Sequence, residues 1–177
     1  GWASTVYDVP VTSLSASTNG MLTVNGAAAT TFTNTALLGA VGGTNPTLFP
    51  SWDDYDMDPA DTVGGGIYAN TVGTAPNRTF YVEWRATHFS EAATAISTNF
   101  AVKLTEGSGT IEFINVSTGV APNADAVSAT VGVQRSSAAA SAFTQAGFNT
   151  AGTNTPGMVR TGTLPAGQCT PGTGPCS

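Results

Sequence analysis

Apolar and polar residues alternate with a period of two along much of this chain, and this alternation constrains its fold more than any other feature. In "RTFYVEWRA" the side chains of Phe80, Val82, Trp84 and Ala86 all point to one side of an extended strand. The residues between them point to the other side, which is typical of a sheet with one buried face. Residues 80–86 are therefore predicted to form a strand that contributes one side to a core.

Asn-Gly pairs and other glycines divide the alternating segments into hairpins. The stretch "VTSLSASTNGMLTVNG" predicts two strands around Asn19-Gly20 and a further break at Asn25-Gly26. Asn-Gly is favoured there because both residues tolerate the positive φ angles of tight hairpin turns.

The clearest hairpin lies in "ISTNFAVKLTEGSGTIEFINV". A turn centred on Gly107-Ser108 places three pairs of residues opposite each other: Leu104 and Ile111, Val102 and Phe113, and Lys103 and Glu112. The first two pairs are apolar and the third joins opposite charges on the solvent side. Register and charge therefore agree on one alignment.

The remaining pattern predicts an antiparallel β-sandwich, similar to a jelly roll, with long Gly/Thr/Asn-rich loops. "AVSATVGVQ" indicates a strand with Ala129, Val131 and Val133 facing inward, and "GMVRTG" indicates a short last strand. Residues 39–47 and 149–157 are predicted loops, and the alanines at 138–142 allow one helical turn at most. We expect a single domain over residues 1–165 and a separate tail over 166–177.

The charge of the chain argues against several classes of partner. Only 9% of the residues are charged, the net charge is -6, and there are five Lys and Arg residues. Binding to nucleic acid needs a basic face, so neither nucleic acid nor an anionic membrane surface is an expected partner. No run of 18 or more apolar residues occurs, so no membrane span is predicted.

Cys169 and Cys176 enclose the turn-forming segment "TPGTGP", which would bring the two sulfur atoms together. A disulfide within one chain is therefore predicted, and it would staple the tail. Such a bond would place the protein outside the reducing cytosol. Peptide mapping without reduction that finds both cysteines free, or bridging two chains, would contradict this prediction.

Several motifs together carry a resemblance to a known family. They are, in order, "STNGMLTV", "SWDDYD", "GGGIYANTVGTAPNRTFYVEW", "FAVKLTEGSGTIEFINV" and "ATVGVQ". They resemble a β-sandwich module of large secreted and cell-surface bacterial proteins, distantly similar to the nidogen-type extracellular domain. The resemblance implies an extracellular or cell-surface module without catalytic activity. Such modules usually begin with an apolar edge strand, and "GWASTVYDV" begins about where that strand should end.

The acidic segment "SWDDYDMDPAD" holds five aspartates and is a candidate metal site. Asp54, Asp56 and Asp58 alternate like the first ligands of a calcium loop, and carboxylate oxygens are the ligands that calcium needs. Against this, Pro59 stands where a calcium loop has glycine, and no glutamate follows at the twelfth position. A solvated turn is the alternative, and no other cofactor is indicated.

No catalytic residues are predicted, and the protein is not expected to be an enzyme. His88 is the one histidine, and a lone histidine with a distant aspartate does not make a triad. The phosphate loops, nucleophile elbows and zinc motifs of common enzymes are absent from the sequence.

The sequence thus predicts a structural or adhesive module that self-associates or binds other surface proteins. The expected mode is strand addition at an open sheet edge, with residues 2–9 or "MVRTGTL" as the donor strand, which would build a filament. One alternative is that residues 2–9 fill the edge in their own chain. Two others are a polysaccharide-binding module with Trp52 and Tyr55 as sugar contacts, and an accessory domain of a larger secreted hydrolase.

Overall fold

The computed structural model describes residues 4–89, 91, 95–120 and 122–163, and nearly all of its regular structure is antiparallel β-sheet. The first of its two large sheets, called here the front sheet, contains six strands. They are β6 (Tyr55–Asp56), β7 (Gly66–Val72), β8 (Thr79–His88), β9 (Thr98–Thr105), β10 (Thr110–Thr118) and β13 (Val159–Thr163). Their order is β13-β10-β9-β8-β6, and β7 also pairs with β8.

The second large sheet, called here the back sheet, contains five strands in the order β12-β11-β5-β4-β3. They are β3 (Leu14–Ser17), β4 (Met21–Val24), β5 (Thr47–Trp52), β11 (Thr130–Gln134) and β12 (Phe143–Phe148). A separate two-stranded ribbon is formed by β1 (Thr5–Val6) and β2 (Val9–Pro10) near the N-terminus. The predicted all-β sandwich is confirmed.

The main core lies between the two large sheets, and the alternating residues of β8 supply part of it. Val82, Trp84 and Ala86 are buried there, and Phe80 packs against them. The β9–β10 hairpin has the predicted register, with Leu104 opposite Ile111 and the others following. Its loop has four residues, Glu106 to Gly109, because Thr105 and Thr110 end the two strands.

A second, smaller core lies on the outer side of the back sheet. Residues 25–46 cover that side and bury five apolar residues: Met21, Leu37, Val41, Phe49 and Trp52. They include the predicted loop at 39–47 except for Thr47, which begins β5. The buried Gln134 side chain holds this cover in place, because its amide bonds to the backbone of Gly39 and Val41. Every residue of β4 and β5 is therefore buried.

The N-terminal ribbon folds back onto its own chain. Val6 and Tyr7 are buried in the main core, and the Tyr7 hydroxyl donates to the carbonyl of Val133 at 3.3 Å. Arg135 forms an ion pair with Asp8, with Nε 2.7 Å from Oδ1. Residues 4–11 therefore pack within their own chain, but as a separate ribbon that fills no edge of the two large sheets. Their use as a donor to a neighbouring molecule stays a prediction, and it would require these core contacts to break.

The alanine run and the cysteine-containing tail are two further segments for which a structure was predicted. The alanines at 138–142 form a hydrogen-bonded turn from Ser141 to Ala138, whereas the short 3-10 helix is at Ala124–Ala126. The predicted disulfide between Cys169 and Cys176 lies outside the described residues, as does the tail at 166–177. Within the described part of the chain, no helix has the length and apolar character needed to cross a membrane.

Candidate functional site

The acidic segment is the place where the chain crosses from the back sheet to the front sheet. Strand β5 ends at Trp52 in the back sheet, and β6 pairs with the end of β8 in the front sheet, with Tyr55 opposite His88. The crossing is fastened to the first hairpin turn: the amide of Asp53 donates to the Asn19 carbonyl at 3.3 Å. Asp53 and Asp54 are therefore fixed by backbone geometry on both sides.

Asp53 is buried and is the centre of a small polar cluster. Its Oδ2 accepts a 2.6 Å hydrogen bond from the Ser128 hydroxyl, and its Oδ1 accepts the Asp54 amide at 2.9 Å. The same Oδ1 lies 3.2 Å from Nε2 of His88, whose side chain is also buried. Tyr55 packs edge-on against the imidazole with ring centroids 5.9 Å apart. This cluster ties β8, the crossing segment and the start of β11 together.

The order of contacts determines what the cluster can do chemically. In a nucleophilic triad the histidine stands between the hydroxyl and the carboxylate, so that it can take the hydroxyl proton. Here Asp53 stands in the middle, and the Ser128 hydroxyl donates to the carboxylate. The geometry therefore suits a structural clamp, with the carboxylate satisfied from both sides.

Burial and the neighbouring carboxylates shift the pKa of His88 in opposite directions. Burial lowers the pKa of the imidazole, but the contact with Asp53 and the charges of Asp53, Glu91 and Asp54 outweigh it, so the pKa is raised. Burial also raises the pKa of the Asp54 carboxyl. His88 is thus held in its charged form over a wider pH range than a free histidine.

We expect the protein to lose stability as the pH rises above neutrality. A raised pKa in the folded state means that the stabilisation is complete below the unfolded pKa of about 6.5 and is lost as the pH rises through the folded value. Each unit of difference corresponds to about 1.4 kcal/mol. Melting temperatures measured from pH 6 to pH 9 should fall, and the fall should be much smaller in His88→Gln. An equal fall in both proteins would contradict this assignment.

Asp56 and Asp58 are used within the turn that follows the crossing. The Asp56 carboxylate accepts the amide of Asp58 at 2.8 Å, and the Asp58 carboxylate accepts the amide of Ala60 at 2.9 Å. These are two consecutive Asx turns, which is the usual role of aspartate in such segments. Within the described residues, no three acidic, histidine or cysteine side chains are grouped to hold a metal ion. Calcium at Asp54, Asp56 and Asp58 stays a prediction, and its alternative is the turn just described.

We expect calcium to bind this segment weakly if at all. Addition of millimolar calcium should leave the melting temperature nearly unchanged, because a ligand that binds only the folded state stabilises it appreciably only when its concentration exceeds its Kd. Magnesium at equal concentration is the control. A rise of several degrees with calcium, absent in Asp54→Ala and Asp56→Ala, would establish the metal site instead.

The predicted sugar contacts are corrected by the structure. Trp52 is 1% exposed and packs under the cover of the back sheet, and Tyr55 is 8% exposed in the main core. Stacking on a sugar needs an open aromatic face. Since both rings are buried, neither Trp52 nor Tyr55 presents a face on which a sugar could stack.

The charges of the protein are unevenly distributed. Four basic residues each form an ion pair, in the pairs Arg78–Glu106, Arg85–Glu83, Lys103–Glu112 and Arg135–Asp8. Among the described side chains, the acidic residues left without a Lys or Arg partner include Asp54, Asp56, Asp58, Asp61 and Glu91. Asp54, Asp56 and Glu91 lie at the end of β8, because Phe89 bonds to Asp54, Asp56 pairs with Thr87, and Glu91 bonds to His88. Asp58 and Asp61 lie in the hydrogen-bonded turn that follows Asp56. We call this region the acidic end.

Strand β7 is the most exposed regular element, and sequence analysis assigned no strand to it. Its seven residues, "GIYANTV", pair with β8 along their whole length and carry no charge. Tyr68, Asn70 and Val72 lie on the outer face, where the Arg85 guanidinium stands 4.7 Å from the Tyr68 ring centroid. Ala69 and Thr71 have the parity of the inner face and are exposed as well. The back sheet therefore does not cover the inner face of this part of β7, and the strand is held by its pairing with β8.

The outer edge of β7 differs from the other edges of the large sheets. Strand β3 has four residues, and the β11–β12 pair is interrupted by a bulge after Val131. Short strands and bulges are ways in which proteins protect an edge from pairing with other chains. Strand β7 has neither protection, nor a charged residue, nor, among the described residues, a second neighbouring strand. Its outward N–H and C=O groups form the candidate site.

Comparison with known proteins gives one match. A family model described as "NIDO related" matches residues 1–170 of the chain. No curated protein and no solved structure matches it.

Proposed function

Because the chain belongs to the NIDO-related family, we propose that it is a non-catalytic module that works by association, accepting a strand at the outer edge of β7. The family suggests an extracellular domain distantly like that of nidogen. A structural or adhesive role in a surface assembly fits such a domain, since it needs a binding surface and no catalytic group. The partner strand would belong to another copy or to another surface protein.

The open edge of β7 is the observation on which this proposal depends. An added strand would pair with the outward backbone groups along seven residues and would cover Tyr68 and Val72, which are about half exposed. Backbone pairing supplies affinity, while the alternating side chains fix the register. The clamp geometry of the Ser128, Asp53 and His88 cluster supports the non-catalytic part of the proposal.

The acceptor and donor differ from those expected from the sequence alone. Of the two predicted donor segments, residues 4–11 pack into their own core, and Val159–Thr163 pairs with β10. Both segments therefore stabilise the molecule that contains them. The unprotected edge lies at β7, on the opposite side of the front sheet from β13.

Placing lysines on β7 should test the proposal. We expect the double variant Asn70→Lys and Val72→Lys to abolish association, because edge lysines repel each other and resist desolvation on strand pairing. Val116→Lys is the matched control: Val116 is exposed to a similar degree but lies at the bulge of β10, away from the edge. All three proteins should have similar melting temperatures.

Association is measured in two ways. Sedimentation velocity over a range of concentrations detects binding between copies of the chain, and a pull-down of the purified chain with cell-surface material from the source cells detects binding to other surface proteins. Wild type and Val116→Lys should associate in at least one assay, and the β7 variant should associate in neither. Equal behaviour of the β7 variant and the control would show that the edge has no such role.

A further inference from the structure

We propose that the strand accepted by β7 is β7 of a second copy, paired antiparallel about a twofold axis that passes beside Ala69. This inference rests on the proposed association at the β7 edge and specifies the partner and its geometry. It predicts a closed dimer, in contrast to the filament that donation by a chain end would build.

The register follows from the parity and the length of the strand: parity requires the axis to pass through a residue, and Ala69 is the middle one of the seven, so pairing there is longest. With the twofold axis at Ala69, Tyr68 lies opposite Asn70 of the second copy, and Ile67 lies opposite Thr71 of that copy. Tyr68 and Asn70 both lie on the outer face, whereas Ile67 and Thr71 both lie on the inner face. Each residue therefore meets one from the same face, as antiparallel pairing requires. The two front sheets would form one continuous sheet across the dimer.

The charges favour this direction of pairing. The Gly66 end of β7 pairs with Arg85, near the acidic end, whereas the Val72 end pairs with Thr79 at the far end of β8. Antiparallel pairing places the Gly66 ends of the two copies roughly 20 Å apart along the sheet, for six residues at about 3.3 Å each. That separation exceeds the Debye length of about 8 Å at physiological ionic strength, so repulsion is screened. Parallel pairing would bring both acidic ends side by side.

The same arrangement explains why the edge can remain uncharged. A twofold contact uses the same surface on both molecules, so one pairing event satisfies the outward groups of both β7 strands. No open copy of this edge remains afterwards, and growth stops at two molecules. Since β7 itself carries no charge, the contact brings no like charges together at its centre.

Cysteine crosslinking tests the geometry directly. In Ala69→Cys the two symmetry-related Cβ atoms would lie about 5 Å apart, so mild oxidation should link two chains at least about tenfold faster than in the control Val116→Cys. The link is assigned by peptide mass spectrometry, because the chain also contains Cys169 and Cys176. Ala69 and Val116 are both exposed, so neither substitution disturbs the core.

Sedimentation equilibrium of the wild-type protein completes the test. A monomer–dimer equilibrium that shows no larger species, together with rapid Ala69→Cys crosslinking, is the expected result. A strictly monomeric protein, or growth beyond the dimer, would overturn the inference. If the β7 lysine variant loses binding while Ala69→Cys fails to crosslink, the partner is a different strand: the twofold dimer is then wrong and the proposed function stands.

Discussion

Replacing Trp84 by alanine is expected to lower the free energy of unfolding by about 4 to 5 kcal/mol, the upper range for truncation of a buried aromatic side chain. Trp84 is fully buried between the two sheets and stacks on Phe100 with ring centroids 5.3 Å apart and planes 15° from parallel. Its Nε1 donates to the carbonyl of Ser17 at 2.8 Å, which links β8 of the front sheet to β3 of the back sheet. The substitution removes packing and this link together.

Trp84→Phe separates the two contributions. Phenylalanine keeps much of the stacking on Phe100 but leaves the buried Ser17 carbonyl without its donor, which costs roughly 1 to 3 kcal/mol for an unsatisfied group. Urea denaturation of the three proteins, monitored by far-UV circular dichroism, measures the free energy of unfolding. It should be highest in the wild type, lower in Trp84→Phe and lowest in Trp84→Ala. A loss below about 2 kcal/mol in Trp84→Ala would contradict the assignment of Trp84 to a close-packed core.

Gly20→Ala is expected to destabilise the protein by more than about 3 kcal/mol, because backbone strain and overlap in a packed site add. Gly20 has a φ of +72°, a conformation that residues with a side chain rarely adopt. A Cβ atom at this position would also overlap the backbone carbonyl oxygen of Ser51, just before the crossing segment. Neither atom can move without displacing the turn from β5.

Gly107→Ala is the matched control for Gly20→Ala. Gly107 has a nearly equal φ of +76°, but a Cβ atom there would meet nothing within 4 Å. The loss should therefore be only about 1 kcal/mol, the cost of the left-handed backbone alone. Melting temperatures and urea midpoints of both variants measure the difference. Equal losses in the two variants would show that the contact between the first turn and β5 is not tight.

These contacts give the acidic segment a definite structural role. The first hairpin turn touches Ser51 through Gly20 and bonds to Asp53 through Asn19, while Asp53 holds His88 and Ser128. The crossing between the sheets is thus fixed on both sides. Because β6 pairs with the end of β8, the fixed crossing also holds that end of β8 in place. The exposed strand β7 pairs with β8 and is positioned by it.

Much of the fold follows from local sequence. The first hairpin, the inward face of β8, the register of the β9–β10 hairpin and the inward residues of β11 were all predicted, and the structure confirms them. In β8 and β10 the inward face is mostly buried and the outward face is partly exposed, so apolar and polar residues alternate along these strands. Strands β4 and β11 are buried on both faces, and they were recognised from the Asn-Gly turn and from the spacing of Ala129, Val131 and Val133, respectively. Glycines mark the turns because only they adopt the required backbone angles at low cost.

Strands with a different environment could not be recognised in this way. All six residues of β5 are buried, because the chain at 25–46 covers its outer side, so its sequence does not alternate. It also contains Pro50, which lies where the register with β11 shifts and so breaks no regular ladder. Strand β7 was missed for the opposite reason, since both of its faces are largely exposed.

The sequence by itself thus determined the all-β class, the main hairpins and their register, because these depend on neighbouring residues and on a single buried face. Only the tertiary structure decided the burial of Trp52 and Tyr55, the clamp around Asp53 and the open edge of β7. These depend on which segments of distant sequence position lie against one another: residues 25–46 over Trp52, Ser128 beside Asp53, and no described strand at the outer edge of β7, the edge away from β8. Local patterns carry no information about such contacts, because the free energy that selects them is gained only when the two sheets pack.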